Sequence, residues 1–419
     1  MLADPTATES VPVSPAQRER LTLWAAGTPS QDQPTFAWEF PAAIDEERVR
    51  DAWAKVMARY ATLRSLFAEE GDGVFSCRRG PVTMADDTCV STPPETFFTQ
   101  LCAPVDLLGG PGARLVHSPA GPRTLLGLSI DHLVIDGHSY GRVVADLFAL
   151  LRGEEPAGPA PAAPDAFFRE ELEAAAGPAG EKALAYWRRT TGGRTYPPLH
   201  TGLHRPEGAG VRAETAHCTV VFDPACPHAR HPQGRSATVL ASVAAATART
   251  LDLVPGQDPF TVLLQSSRRS NDEKLNMAGF LSNWQPATFP VAHTAPELVA
   301  DVADAAFRAL RGHHLHHAEV VRRLEPEWYG ARYVPSEPLP PYALFNYLVE
   351  QEPPHVDGHS GTPLDVPPMG AYRLHGALRV YGTERADARS AQVRLVADAS
   401  VFGDGFAGRV AEAVTEAGA

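Results

Sequence analysis

Residues 123–139 read Arg-Thr-Leu-Leu-Gly-Leu-Ser-Ile-Asp-His-Leu-Val-Ile-Asp-Gly-His-Ser. Leu126, Leu128 and Ile130 alternate, which predicts a strand over 123–130 with one buried face. The alternation stops at Asp131-His132. A helix is expected to start near Ser139, a good N-cap, and to bury Val143, Val144, Leu147, Phe148 and Leu151. The stretch around His132 therefore reads as a crossover loop from strand to helix, a place where functional side chains are often held. A histidine directly after a buried strand, followed by Asp136 and Gly137, has the make-up of a general base. The same spacing also suits a hydrogen-bonded core histidine followed by an ordinary Asp-Gly turn.

Working outward, Asp45 is a plausible N-cap for a helix over 45–60, along which Val49, Trp53, Val56, Met57 and Tyr60 recur at helical spacing. Residues 1–13 read as a loose polar leader. Residues 153–164 are too rich in proline for a helix or central strand and read as a connector. One or two helices are expected over 166–190. A second αβ pattern then begins, with a strand near 216–222, an Ala-rich helix at 236–252 and a strand at 259–266. A helix over 297–318, strands near 342–349, 374–381 and 391–397, and a last helix near 405–417 complete it. With 419 residues, the chain is too long for one simple core and is expected to form two α/β lobes. The boundary is expected at the connector, giving lobes at 1–175 and 176–419.

Composition narrows the function classes. Apolar residues make up 44% and charged residues 21% of the chain, as in an ordinary soluble protein. No stretch approaches the ~18 apolar residues of a membrane helix, and no secretion signal opens the sequence. A cytoplasmic protein with no membrane partner is expected. The net charge of −13 argues against nucleic acid as a partner. Cys77, Cys89, Cys102, Cys218 and Cys226 have no paired spacing and read as reduced thiols.

Several segments together resemble the condensation domains of nonribosomal peptide synthetases, members of the chloramphenicol-acetyltransferase-like superfamily. The 131–137 segment resembles their His-His-x-x-x-Asp-Gly motif. Ser14-Pro15-Ala16-Gln17-Arg18-Glu19-Arg20-Leu21 resembles their opening Ser-x-Ala-Gln-x-Arg-Leu. Arg59–Phe67 is similar to their Arg-His-Glu-x-Leu-Arg-Thr-x-Phe. Ala278-Gly279-Phe280-Leu281-Ser282-Asn283 is similar to their Gly-x-Phe-x-Asn, and Ala343–Tyr347 resembles a later strand. These matches follow the family's order over nearly the whole chain.

The resemblance implies two chloramphenicol-acetyltransferase-like lobes in a V-shaped pseudo-dimer with a central tunnel. It implies that His132, at the second motif histidine, takes a proton from an amine or hydroxyl nucleophile, or positions that nucleophile, during attack on a thioester. Gly137 would let the backbone approach closely and offer its N–H to the oxyanion. Asp136 would be structural and paired with an arginine. Arg268 is the first choice of partner, Arg64 the second, and Arg269 remains open. Asn283 and Trp284 would line the substrate channel, although Trp284 fits core packing equally well. Ser139 would either touch substrate or cap a helix. No intrinsic cofactor is implied. The donor would ride on the phosphopantetheine arm of an acyl or peptidyl carrier protein, and the acceptor would be a small-molecule or carrier-bound amine or alcohol. The chain carries no adenylation or carrier region; if it is the whole protein, a free-standing condensation enzyme of specialised-metabolite biosynthesis, an antibiotic pathway among others, is expected, and excision from a larger synthetase is the alternative.

One position departs from the motif: Asp131 replaces its first histidine. An unpaired carboxylate beside His132 would favour the imidazolium and weaken the base. Asp131, Asp136 and Ser139 also satisfy the Asp-x4-Asp-x2-Ser pattern of heterocyclisation domains. Three alternatives follow: heterocyclisation, a catalytically degenerate protein that only recruits carriers, and an acyltransferase using coenzyme A directly. His313 and His317 form an i, i+4 pair that has metal-ligand spacing, but no further ligand is apparent and no metal is expected. No phosphate loop or Gly-x-Ser-x-Gly elbow is present. Direct transfer between two bound substrates is the mechanism that remains.

Overall fold

The alternation at 123–130 fixes which side of that strand is buried, and the surrounding layers follow from it. The computed structural model describes residues 10–27, 33–311, 315–333, 339–367 and 376–417. The strand runs from Arg123 to Ile130. Leu126, Leu128 and Ile130 pack against Val49, Trp53, Val56 and Met57 of the helix Glu46–Arg59 and Val143, Leu147 and Phe148 of the helix Gly137–Leu151. The intervening Gly127 faces the opposite side of the sheet, where Phe97 and Leu101 cover it. Asp45 caps the first of these helices through the backbone N–H groups of Glu47 and Arg48, as its position before the apolar repeat predicts. The two helices are also tied at their polar edge, where Arg59 and the Tyr60 hydroxyl both donate to Asp146 at 2.7 Å.

The chain divides into two compact units. The first holds Met1–Glu173 together with Ser267–Leu281 and Glu352–Tyr372; the second holds Ala174–Ser266, Ser282–Gln351 and Arg373–Ala419. A single cut at 175/176 therefore misses two later stretches that return to the first unit. The sheet of the first unit runs, in spatial order, Thr362–Pro363, Thr35–Phe40, Arg123–Ile130, Ala113–Ala120 and Cys89–Ser91. Its outermost strand thus comes from one of the returning stretches. The sheet of the second unit runs Asn283–Phe289, Phe260–Ser266, Ala343–Val349, Leu378–Glu384, Ser390–Asp398 and Ala213–Val221. Its core is built with the helices Pro232–Thr250, Ala295–Arg311 and Phe406–Ala417.

Most expected elements are present with shifted ends, and three readings change. Ser10–Val11 is a short strand paired with Arg78 and Cys77, so the end of the supposed leader belongs to a sheet; residues 1–9 lie outside the described residues. The helix expected over 297–318 ends at Arg311, and a separate one begins at His317. The strand near 374–381 is Leu378–Glu384, with 374 and 375 outside the described residues. Among the described residues no helix is long and apolar enough to cross a membrane.

At Gly127 a Cβ would lie 2.6 Å from Leu101 Cδ2 and 2.9 Å from Phe97 Cζ. Gly127→Ala is expected to lower stability by about 1–3 kcal/mol through overpacking, read as a lower midpoint in thermal denaturation followed by circular dichroism.

Candidate functional site

The strand ends where its last partners run out. Asp131 N–H donates to Gly112 O at 2.7 Å, and the chain then turns, with Val134 N–H donating to Asp131 O at 3.1 Å. Asp136, not Ser139, is the cap of the next helix. Its Oδ1 accepts from the Ser139 N–H at 3.0 Å, and the helix begins at Gly137, earlier than the sequence suggests. The aspartate lies three residues ahead of the N–H it accepts, which is standard N-cap geometry.

Within this turn His132 is half-buried. Its Nδ1 lies 2.8 Å from Ile135 O. A carbonyl oxygen only accepts, so Nδ1–H is the donor, and in the neutral ring Nε2 carries the lone pair. The imidazole stacks on Phe280, with ring centroids 5.8 Å apart and planes inclined by 28°. The local turn and one aromatic face thus fix both the tautomer and the orientation of the ring. Gly137 is exposed at the first position of a 15-residue helix, where backbone N–H groups lack helical acceptors and favour negative charge.

Asp136 is buried and forms its ion pair with Arg269, Nη1 to Oδ2 at 2.6 Å. Arg268, the expected partner, instead meets Glu171 Oε1 at 2.5 Å and lies over the Phe167 ring. The cause is local: Arg268 has φ +58°, and that left-handed residue sends the two consecutive guanidinium groups to different partners. Arg64 is also excluded, because it donates to Gly80 O and to the carbonyls of Met57 and Ala58 at the end of the 46–59 helix. Asp136 Oδ2 further accepts from the Leu281 N–H at 3.0 Å, and the Asp136 N–H donates to Gly279 O at 3.1 Å.

Ser139 belongs to the same network. It is fully buried. Its Oγ donates to Asp136 Oδ1 and accepts from Arg269 Nη2 at 2.7 Å and from the Gly279 N–H at 3.1 Å. These bonds use up the hydroxyl.

Asp131 is paired as well. Both its oxygens meet the guanidinium of Arg20, with Nη2 to Oδ2 at 2.6 Å, and its Oδ1 also accepts from the Leu133 N–H at 2.7 Å. The Asp131 carboxylate is therefore buried and neutralised, so the condition under which it would weaken His132, that it be unpaired, is not met. All three residues of the Asp-x4-Asp-x2-Ser pattern are engaged in internal bonds.

Asn283 and Trp284 lie in the second unit, and the bonds of Asn283 are structural. Asn283 is buried. Its Nδ2 donates to Leu315 O at 3.0 Å, and its Oδ1 accepts from the N–H groups of Trp284 and His317 at 2.9 and 2.8 Å. It thereby joins the start of a strand to the start of the helix His317–Leu324. Trp284 packs against His317 and Tyr342 with Arg332 over its ring, the core role that its sequence position also allowed. His317 is buried, and its Nε2–H donates to Thr195 O at 2.9 Å. Burial, reinforced by Arg332, pushes its pKa down to about 3. His313 lies outside the described residues, so the i, i+4 pair is not described; among the described residues no three metal-ligating side chains gather.

Sequence reasoning missed Arg20, Gln17 and Phe280 as site components. Gln17 Nε2 donates to Leu133 O at 2.8 Å. All three lie inside segments that carried the resemblance, and the buried charge of Asp131 was the signal that a cation had to be found for it.

The chain matches the model of the condensation-domain family over residues 7–328. The nonribosomal peptide synthetase kk1B of Curvularia clavata is 24% identical over 299 residues, which is 67% of this chain and 2% of that protein. The chain thus spans a small fraction of the length of that curated relative. Among solved structures, the condensation domain from the Monacolin K polyketide synthase MokA has a TM-score of 0.73 at 19% identity, covering 98% of this chain and 96% of that one. A variant of the starter condensation domain of rhizomide synthetase RzmA, in complex with C8-CoA, has a TM-score of 0.71 at 14% identity, covering 98% and 94%. At such identities these likenesses establish a shared mixed α/β fold.

Asp136→Ala leaves Arg269 buried without its counter-charge and is expected to cost about 3–5 kcal/mol, measured by urea denaturation; an unchanged midpoint would remove the structural role. His317 predicts an acid limb. It stays neutral in the folded protein while the unfolded chain takes up a proton below pH ~6.5. Stability therefore falls as pH drops from ~6.5 towards 3, by up to about 1.4 kcal/mol per pH unit from this group. His317→Gln is expected to flatten the stability–pH curve over that window; an unaltered slope would contradict the assignment.

Proposed function

The chain belongs to the condensation-domain family, and from that premise we propose that it joins an acyl or aminoacyl thioester, held on the phosphopantetheine arm of a carrier protein, to an amine or alcohol. The acceptor nitrogen or oxygen attacks the thioester carbonyl. A C–N or C–O bond forms, the C–S bond breaks, and the acceptor's proton ends on the departing thiolate. His132 is the group that handles this proton. The observation that carries the reading is the Ile135 carbonyl fixing Nδ1–H, which leaves the Nε2 lone pair as acceptor. A positioned general base supplies ~10²–10⁴-fold in such steps. Gly137 is the candidate oxyanion donor, because it opens the helix whose N-terminal N–H groups favour a developing negative charge.

Of the alternatives, the use of coenzyme A as direct donor has specific support: the RzmA relative was solved in complex with C8-CoA. Heterocyclisation and mere carrier recruitment have less. The residues that suggested ring formation are engaged in internal bonds, and the Asp131 carboxylate that cast doubt on catalysis is paired with Arg20.

His132→Ala is expected to fold normally and to lose at least ~100-fold in rate. The assay is mass spectrometry of products formed from carrier proteins loaded in turn with acyl and aminoacyl groups. Wild-type turnover by this variant would remove the mechanism, turnover with free acyl-CoA alone would favour the coenzyme A reading, and a product lighter by one further water would mark heterocyclisation.

A further inference from the structure

The residues on either side of His132 are both held by one helix. Arg20 grips the Asp131 carboxylate with both guanidinium nitrogens, and Gln17, one turn earlier on the helix Pro15–Ala25, donates to the Leu133 carbonyl. Residues three apart share a helix face, so a single face fixes positions 131 and 133. His132 between them turns the other way, onto Ile135 O and Phe280. The grip is itself braced. Gln17 Oε1 accepts from the Ser14 N–H at 2.9 Å, and Ser14 Oγ accepts from the Gln17 N–H at 3.2 Å, a capping box that locks the first turn. Arg20 and Asp131 are 2% and 1% exposed in their side chains, so neither charge is screened by water.

Both partners stand where the chain departs from the motifs it resembles. Asp131 replaces the first motif histidine, and Arg20 follows Gln17 by three residues where the pattern has two. One change introduces a buried anion beside the base, and the other brings a cation to the same place.

We infer that Arg20 and Asp131 form a positioning pair that clamps the His132 turn and cancels the charge next to the imidazole. This rests on the catalytic reading of His132. Other charged or titratable groups around the turn are Glu19 on the same helix, the paired Asp136 and Arg269, and His138 and Arg142 on the helix that follows.

The test is NMR titration of the full chain labelled at histidine, with His132→Ala used to assign the resonance. Asp131→Asn leaves the cation and is expected to lower the His132 midpoint. Arg20→Met leaves the anion and is expected to raise it. Each shift should be about 0.5–1 pH unit, and Arg20→Lys should restore the midpoint. Midpoints that stay put, or move in the same direction, in variants that keep their native spectra would overturn the inference. If the single variants do not fold, the double variant Arg20→Met/Asp131→Asn removes both members of the pair together. It should keep the wild-type midpoint and lose at least ~10-fold in kcat by loosening the turn, and an unchanged kcat would overturn the clamp. The titration needs no substrate. Failure of the wild type to turn over carrier-bound donors would therefore sink the catalytic reading while leaving the charge test intact.

Discussion

A carboxylate buried at the start of a helix needs a counter-charge, and Asp136 finds it 133 residues further along the chain, in Arg269. The arrangement in the first unit depends on this constraint. The aspartate caps the 137–151 helix, accepts from the Leu281 backbone and shares Ser139 with the Gly279 N–H. These bonds bring the 267–281 stretch against the turn that carries His132. They also deliver Phe280, whose ring supports the imidazole. An ion pair so deeply buried is weak evidence of net stabilisation, because desolvation offsets much of the Coulomb attraction. Its importance here lies in directing a distant segment to one place.

The sequence made visible those elements with one wet and one dry face. The 46–59 helix and the 123–130 strand have such faces, and their period shows them. The strand Thr35–Phe40 was missed because it gives no clean alternation: Ala37 and Trp38 are both buried, on opposite faces of the sheet. The strand Asn283–Phe289 was missed because it begins in a motif read as channel lining and contains Pro286, which demotes a strand reading. That Pro286 sits on the sheet's edge strand agrees with the rule that proline is confined to edges.

The site was legible to the level of the motif and no further. His132 and the structural role of Asp136 could be read from the pattern. The partner of Asp136 could not, because Arg268 and Arg269 are adjacent and identical in type. Only the left-handed backbone at Arg268 decides which of them points at the aspartate. Ser139 and Asn283 show a related limit. Both are polar residues in motif positions, and both spend much of their hydrogen-bonding capacity on neighbouring backbone and side chains. Sequence reports that a side chain has donors and acceptors; only the fold reports whether they are already used.

The two returning stretches have a consequence for how the molecule is made. The first unit contains pairs whose partners are far apart in the chain: Asp136 with Arg269, and the strand Thr35–Phe40 with Thr362–Pro363. Long-range closure of this kind slows folding, since the entropy of the intervening chain is lost before the contact forms. A ribosome that has released only the first 175 residues has therefore not yet released the counter-charge of Asp136 or the outer strand of its sheet. The first unit must wait, incompletely paired, while the strands and helices of the second are synthesised between its own pieces. Completion of the His132 turn is in this sense a late event in the birth of the protein, although its sequence emerges early.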